Sequence, residues 1–156
     1  MKQKGKRRIS EALYRKLYAE MPIFCADVVA EDAQGRFIVV RRKNEPARGK
    51  WWLPGGRVLK DERVAHAAVR KLKEETGIKG KFECVIGFFE FFSRKGFFKG
   101  VSAHTPVAVC LVRVARVPHV LLDSQSGGFR WVKNPVADIH PDLAKIIRER
   151  HRRKTI

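Results

Sequence analysis

Apolar positions along this chain recur with two different periods. Between residues 10 and 20, Leu13, Tyr14, Leu17 and Tyr18 repeat at three- and four-residue steps. That is one face of a short helix, with Ser10 placed to cap it and Pro22 to end it. Residues 24–30 and 36–42 read instead as strands, and Asp32-Ala-Gln-Gly35 between them makes a hairpin turn. A polar loop with Pro46 and Gly49 follows, then a short strand over 51–53 and the glycine turn Pro54-Gly55-Gly56. Helical spacing returns over 61–76 and stops at Gly77. Long strand-like stretches span 82–92 and 101–114; a short one at 129–132 follows a Gly127-Gly128 loop, and a helix over 141–150 comes last. Strands mixed with a few helices, without repeats or a composition break, predict a single layered α/β or α+β domain over 1–156.

Composition narrows the class. A length of 156 residues suits one core, and 44% hydrophobic residues predict a globular chain. There is no apolar run near the ~18 residues of a membrane span, and the basic start MKQKGKRR leads into no signal-like segment. The expectation is a soluble cytoplasmic protein with no membrane partner. Cys25, Cys84 and Cys110 are widely spaced without a CxxC, so they read as buried free thiols rather than a zinc or disulfide framework. The net charge of +18 is concentrated in basic tails, residues 1–9 and 148–156. Such tails attract anions over a screened ~8–10 Å. They suit solubility or unspecific nucleic-acid attraction, and no stacked-aromatic RNA motif accompanies them.

Candidate chemistry lies where the charge reverses. On a helix at ~100° per residue, Val64, Ala65, Ala68, Val69 and Leu72 share the expected core face. Arg70 and Glu74 fall on the exposed side, spaced as a surface ion pair worth ~0.3–0.5 kcal/mol. Glu75 falls at the edge of the apolar stripe, where a carboxylate is partly desolvated and needs a proton, a partner or a cation. Mg²⁺ prefers carboxylate, carbonyl and water oxygens. The Gly55-Gly56 turn lets backbone approach a ligand, and Arg42 and Arg57 suit phosphate oxygens. The residues alone leave two readings open: a metal–phosphate site, or a glycine turn leading into a helix with frayed acids at its end.

The same stretch resembles the Nudix box, G-x5-E-x7-R-E-U-x-E-E-x-G-U, with U a bulky aliphatic. Gly56, Glu62, Arg70, Leu72, Glu74, Glu75, Gly77 and Ile78 fall on its positions, and Lys71 stands where the family usually has glutamate. The resemblance implies the α/β Nudix fold, a mixed β-sheet sandwiched between helices with the box as loop–helix–loop. Over most of the chain it looks most like the GDP-mannose mannosyl hydrolase branch, which also lacks that glutamate. Pro22, Asp27, residues 42–49 and 51–62, Gln125 and Phe129-Arg130-Trp131 carry the match. By this carry-over the metal ligands are the Gly55 carbonyl, Glu75 and Gln125. Glu74, which that branch tends to lose and ordinary Nudix enzymes keep, is expected to share in holding Mg²⁺, or Mn²⁺ in its place. Arg42, Arg57 and Arg70 serve the diphosphate, Asp27 contacts substrate, and Glu62 with Arg70 steadies the glutamates. The branch also implies a homodimer.

One position departs from the branch. Ser126 stands where it has a histidine general base, and a serine hydroxyl does not take a proton at neutral pH. Glu74, kept here, is the base expected for attack at phosphorus. His66 reads as a surface residue, His104 as a strand-end histidine, and Glu90 as either a solvent-facing acid or a site acid. The aromatics at 88, 89, 91, 92, 97 and 98 read mainly as core or interface. The leading expectation is a Mg²⁺-dependent hydrolase of a nucleoside diphosphate linked to another group, a nucleotide sugar such as GDP-mannose. A house-cleaning triphosphate pyrophosphohydrolase and a non-catalytic nucleotide- or RNA-binding module are the alternatives.

Overall fold

The computed structural model describes residues 9–115 and 119–153. Lys2, Lys4, Lys6, Arg7, Arg8 and Lys154 of the expected basic tails lie outside them. The described elements are α1 (Glu11–Glu20), β1 (Cys25–Glu31), β2 (Phe37–Arg42), β3 (Trp51–Trp52), β4 (Gly55–Arg57), α2 (Val64–Thr76), β5 (Lys81–Ser93), β6 (Ala103–Arg113), β7 (Ser126–Val132) and α3 (Pro141–Arg153). Among the described residues, no helix is long and apolar enough to cross a membrane.

Local chemistry explains most boundaries. Ser10 Oγ accepts the Leu13 N–H at 3.2 Å and caps α1. Gly77, at φ +73°, closes α2 in the left-handed conformation that glycine adopts without strain. The start of α2 is a correction: the helix begins at Val64 rather than at 61. Asp61 has φ +63° and the Glu62 carboxylate accepts the Leu59 N–H, so residues 59–62 form a turn before the helix. A second correction concerns the C-terminal tail. Residues 148–153 continue α3, and Arg150 is buried.

The sheet runs β3-β2-β1-β6-β5, with β4 also on β1 and β7 also on β2. The β1–β6 pairing is parallel and the others are antiparallel, so the sheet is mixed. Side chains alternate across it. Val29, Val39, Val109 and Leu111 pack with Leu143 and Ile147 of α3 on one face. Val28, Ile38, Cys110 and Val112 pack with Ala67, Ala68 and Leu72 of α2 on the other. That is the expected sandwich of helices around a mixed sheet. β5 forms one edge, where Cys84, Val85, Phe88 and Phe92 are exposed. Of the three cysteines only Cys110 is buried; Cys84 is a correction, because an edge strand leaves its outer face uncovered.

The position of β4 opens the site. β1 pairs with β2 only at Glu31–Phe37, then with β4 through Cys25–Asp27. The expected glycine turn at Gly55-Gly56 is therefore a short strand set against β1. A Cβ on Gly55 would come 2.2 Å from Asp27 Oδ1, so only glycine permits this approach.

Candidate active site

A cavity of about 250 Å³ lies at this parting of the strands. Asp27 of β1, Arg42 of β2, Trp52 of β3, Gly55–Arg57 of β4, Lys71 of α2 and Gln125 before β7 all line it. Tyr14 and Tyr18 of α1 join them. Of the substrate-binding residues expected from sequence, Asp27, Arg42 and Arg57 are thus brought together. Of the expected metal ligands, Gly55 and Gln125 line the cavity, and Glu75 binds Gly55.

Each cation is held by a neighbour. Arg42 Nε donates to the Pro46 carbonyl at 2.7 Å. The Arg57 guanidinium carbon lies 4.3 Å from the Tyr14 ring centroid, a cation–π contact that fixes its direction. Burial pushes the Tyr14 hydroxyl up to about 12, against the pull of Arg57, so it stays protonated at neutral pH.

Glu75 is buried, as its place at the edge of the stripe predicts. Its Oε2 accepts the Gly55 N–H at 3.1 Å and its Oε1 meets Lys71 Nζ at 3.0 Å. Burial raises its carboxyl above the usual range, against the smaller opposing pull of Lys71 and the Gly55 N–H. Glu74, with 43% of its side chain exposed, meets Arg70 at 3.1 Å and Lys71 at 3.6 Å.

Arg70 corrects the helical-wheel reading of an exposed side chain. Its side chain is 13% exposed, and its guanidinium spans the loop before α2. Nε and Nη2 each bind a Glu62 carboxylate oxygen at 2.7 Å, and Nη2 also donates to the Arg57 carbonyl at 3.0 Å. Such a two-pronged pair holds its plane. Through it, Arg57 of the cavity and Glu74 of the helix are tied to one guanidinium. None of Glu62, Arg70, Glu74 and Glu75 lines the cavity, and the Glu62–Arg70 pair ties the loop before α2 to the helix.

The donor set suits a divalent ion shared with substrate. Among the described residues, no group of three or more His, Cys, Asp or Glu side chains is gathered for a metal. Glu74 and Glu75 supply two carboxylates, which is the complement Mg²⁺ takes when substrate phosphates complete its oxygen shell.

Sequence reasoning missed Lys71 and the tyrosines of α1 as cavity residues. Lys71 carried a signal, as a lysine four residues before a half-buried glutamate. Tyr14 and Tyr18 carried none, since apolar spacing alone reads as core. His104 and Glu90 pair at 3.1 Å on the open face of β5 and β6, with Phe92 stacked on His104, and neither lines the cavity. His66 is exposed, as expected. Ser126 is buried and does not line the cavity, although Gln125 beside it does.

A family model described as the NUDIX domain matches residues 21–150. The chain belongs to the NUDIX family. Its relatives include the low-salt glycan biosynthesis protein Agl8 of Haloferax volcanii, 28% identical over 90% of this chain and 89% of that protein. The ADP-ribose pyrophosphatase of Methanocaldococcus jannaschii is 34% identical over 47% of this chain and 43% of that one. A solved MutT protein of Methanosarcina mazei shares the fold with a TM-score of 0.70 at 22% identity, covering 88% of this NUDIX chain and 99% of its own.

Within this NUDIX site, Asp27 has a measurable consequence for stability. Its Oδ2 accepts the Trp52 Nε1–H at 2.8 Å. Burial first pushes its carboxyl up from 3.8 to about 7, against the pull of the Trp52 hydrogen bond and Arg42. Between those values the native state holds a proton that the unfolded chain has lost, so stability falls as pH rises from 3.8 to about 7. Asp27→Asn keeps an oxygen for Trp52 and does not ionise. In EDTA at pH 8 it should be more stable than the parent by about 2 kcal/mol, or roughly 4–8 °C in Tm. The gain should vanish near pH 4, and thermal unfolding at both pH values checks it.

Proposed function

We propose that this NUDIX hydrolase cleaves nucleotide sugars, with a divalent ion required and with water attacking phosphorus. The observation that carries this reading is one cavity in which Arg42 and Arg57 sit beside the buried Asp27 carboxyl. Two guanidinium groups match a diphosphate, and a hydrogen-bonding carboxyl beside them matches a sugar hydroxyl. The similarity, over 90% of this chain, to a protein named for glycan biosynthesis supports the same substrate class.

The chain's own residues divide the work. Arg42 and Arg57 oppose the charge of the diphosphate, and Tyr14 keeps Arg57 aimed. Asp27 and the Tyr14 hydroxyl present hydrogen-bonding groups to the linked moiety. The Glu62–Arg70 pair holds the loop and helix in register, so that Glu74 and Glu75 keep their spacing. When bound, Mg²⁺ or Mn²⁺, held by Glu74, Glu75, the Gly55 carbonyl and Gln125, supplies charge neutralisation and a lowered pKa for water. Glu74, the more exposed of the two acids, takes the proton of the attacking water. Ser126 has no basic atom to offer, so attack at the sugar carbon lacks its base.

Incubation with Mg²⁺ in ¹⁸O-water, read by mass spectrometry, tests the reading on GDP-mannose, ADP-ribose and nucleoside triphosphates. The expected outcome is release of a nucleoside monophosphate and a sugar phosphate, with the label in a phosphate. GDP with labelled mannose would refute attack at phosphorus. Turnover of triphosphates without any of the sugar nucleotides would refute the substrate class.

A further inference from the structure

Lys71 carries an inference that sharpens the proposed reading and rests on its claim that a divalent ion and a diphosphate share this site. A lysine at helical spacing from two glutamates ordinarily reaches into water. Lys71 does not, because only 14% of its side chain is exposed, and it lines the cavity beside Arg42, Arg57 and Gln125. It runs against a second glycine. A Cβ on Gly56 would come 2.6 Å from Lys71 Cε and 3.3 Å from Nζ, so the end of the lysine lies directly against β4 and would have to shift for a larger residue there.

The charges around it are uneven. Arg70 binds Glu62 through two short hydrogen bonds and also meets Glu74 at 3.1 Å. Lys71 meets Glu74 at 3.6 Å and Glu75 at 3.0 Å, so these two cations and three carboxylates carry a net charge of −1. Without the ammonium the group would offer −2. A bare divalent ion entering here meets a cation already seated against the buried acid, and little unbalanced negative charge holds it. A diphosphate entering the same cavity meets three cations, Arg42, Arg57 and Lys71.

We propose that Lys71 is a phosphate-binding residue which takes the place of a second divalent ion. Its ammonium stays between Glu75 and the bound diphosphate, and the site holds one exchangeable metal ion. Lys71 does this permanently, so part of the phosphate binding needs no metal at all. The ligand class is the diphosphate group itself, whatever it links.

Two binding measurements on the full chain test this without turnover. Free Mn²⁺ is titrated by electron paramagnetic resonance in the absence of nucleotide. Lys71→Glu is expected to bind Mn²⁺ at least tenfold more tightly than the parent, or to bind one additional ion per chain. ADP is titrated by calorimetry in EDTA. The parent is expected to bind it, Lys71→Met to bind at least fivefold more weakly, and Lys71→Arg to stay within threefold of the parent. Circular dichroism confirms the fold of each variant, and Lys71→Gln replaces Lys71→Met if the latter does not fold.

Mn²⁺ affinity and stoichiometry unchanged in Lys71→Glu overturn the proposal. So does ADP affinity unchanged by loss of the charge, or ADP binding by the parent only when metal is present. Neither arm contains a sugar or measures hydrolysis. A chain that turns over no nucleotide sugar yet gives the expected binding results retains this inference while losing the proposed substrate.

Discussion

Glu75→Gln is expected to lower Mg²⁺-dependent turnover by roughly 100-fold or more while leaving the fold in place. The substitution separates two roles of one side chain. A glutamine oxygen still accepts the Gly55 N–H that Glu75 now accepts at 3.1 Å, so β4 keeps its tie to α2. Lys71 keeps Glu74 at 3.6 Å, so its ammonium is not stranded. Only the buried negative charge disappears, and an amide oxygen is a much poorer ligand for a hard cation than a carboxylate. The melting temperature should therefore move by only a few degrees. A rate series against Mg²⁺ concentration checks the result, with a higher metal requirement accompanying the lost rate. Unchanged Mg²⁺-dependent turnover would sink the assignment of Glu75 to the metal.

The second large effect lies at the opposite end of β1. Glu31 is 1% exposed and binds both Arg113 of β6 and Arg150 of α3. Arg113 also binds Glu83 of β5. One carboxylate thus joins the parallel strand pair to the helix that covers it. Arg150 is 7% exposed, and its Nη2 already has no hydrogen-bond partner. Removing the Glu31 charge leaves a buried guanidinium without its counter-ion, a change that costs about 3–5 kcal/mol in comparable buried pairs. Glu31→Gln should accordingly lower Tm by roughly 6–20 °C. Glu83→Gln should cost less than about 1 kcal/mol, because Glu83 is 45% exposed and water screens its pair. Thermal unfolding of both variants checks the contrast. Equal losses would mean that burial does not set the strength of this network.

The two effects fall in different places in the sequence, and they were not equally legible. Every regular element except β4 could be read from period and punctuation. The Ser10 cap, the Gly77 stop and the alternation in β1 and β6 depend on residues close in the chain, and neighbours a few positions apart decide such local preferences. The desolvation of Glu75 was legible for the same reason, since its angle to Ala68 on a helix follows from spacing alone. Asp27 and Gln125 were candidates only through resemblance, yet they line one cavity with Arg42 and Arg57.

The misses share a cause. Arg70 has the spacing of a surface partner for Glu74, but the loop at 57–62 folds over it, and a wheel drawn for one helix contains no loop. The pair Gly55-Gly56 has the composition of a turn, and only the pairing with β1 makes it a strand. Arg150 looked like one more charge in a basic tail until α3 brought it against Glu31, 119 residues away.

The sequence by itself determined every element but β4, the family, and the helix that carries the acids. Those follow from short-range periodicity and from one contiguous motif. The tertiary structure alone decided which charges are buried together: Lys71 against Glu75, Asp27 under Trp52, and Glu31 between two arginines. The strength of a charge pair depends on how much water surrounds it, and burial is set by segments distant in sequence.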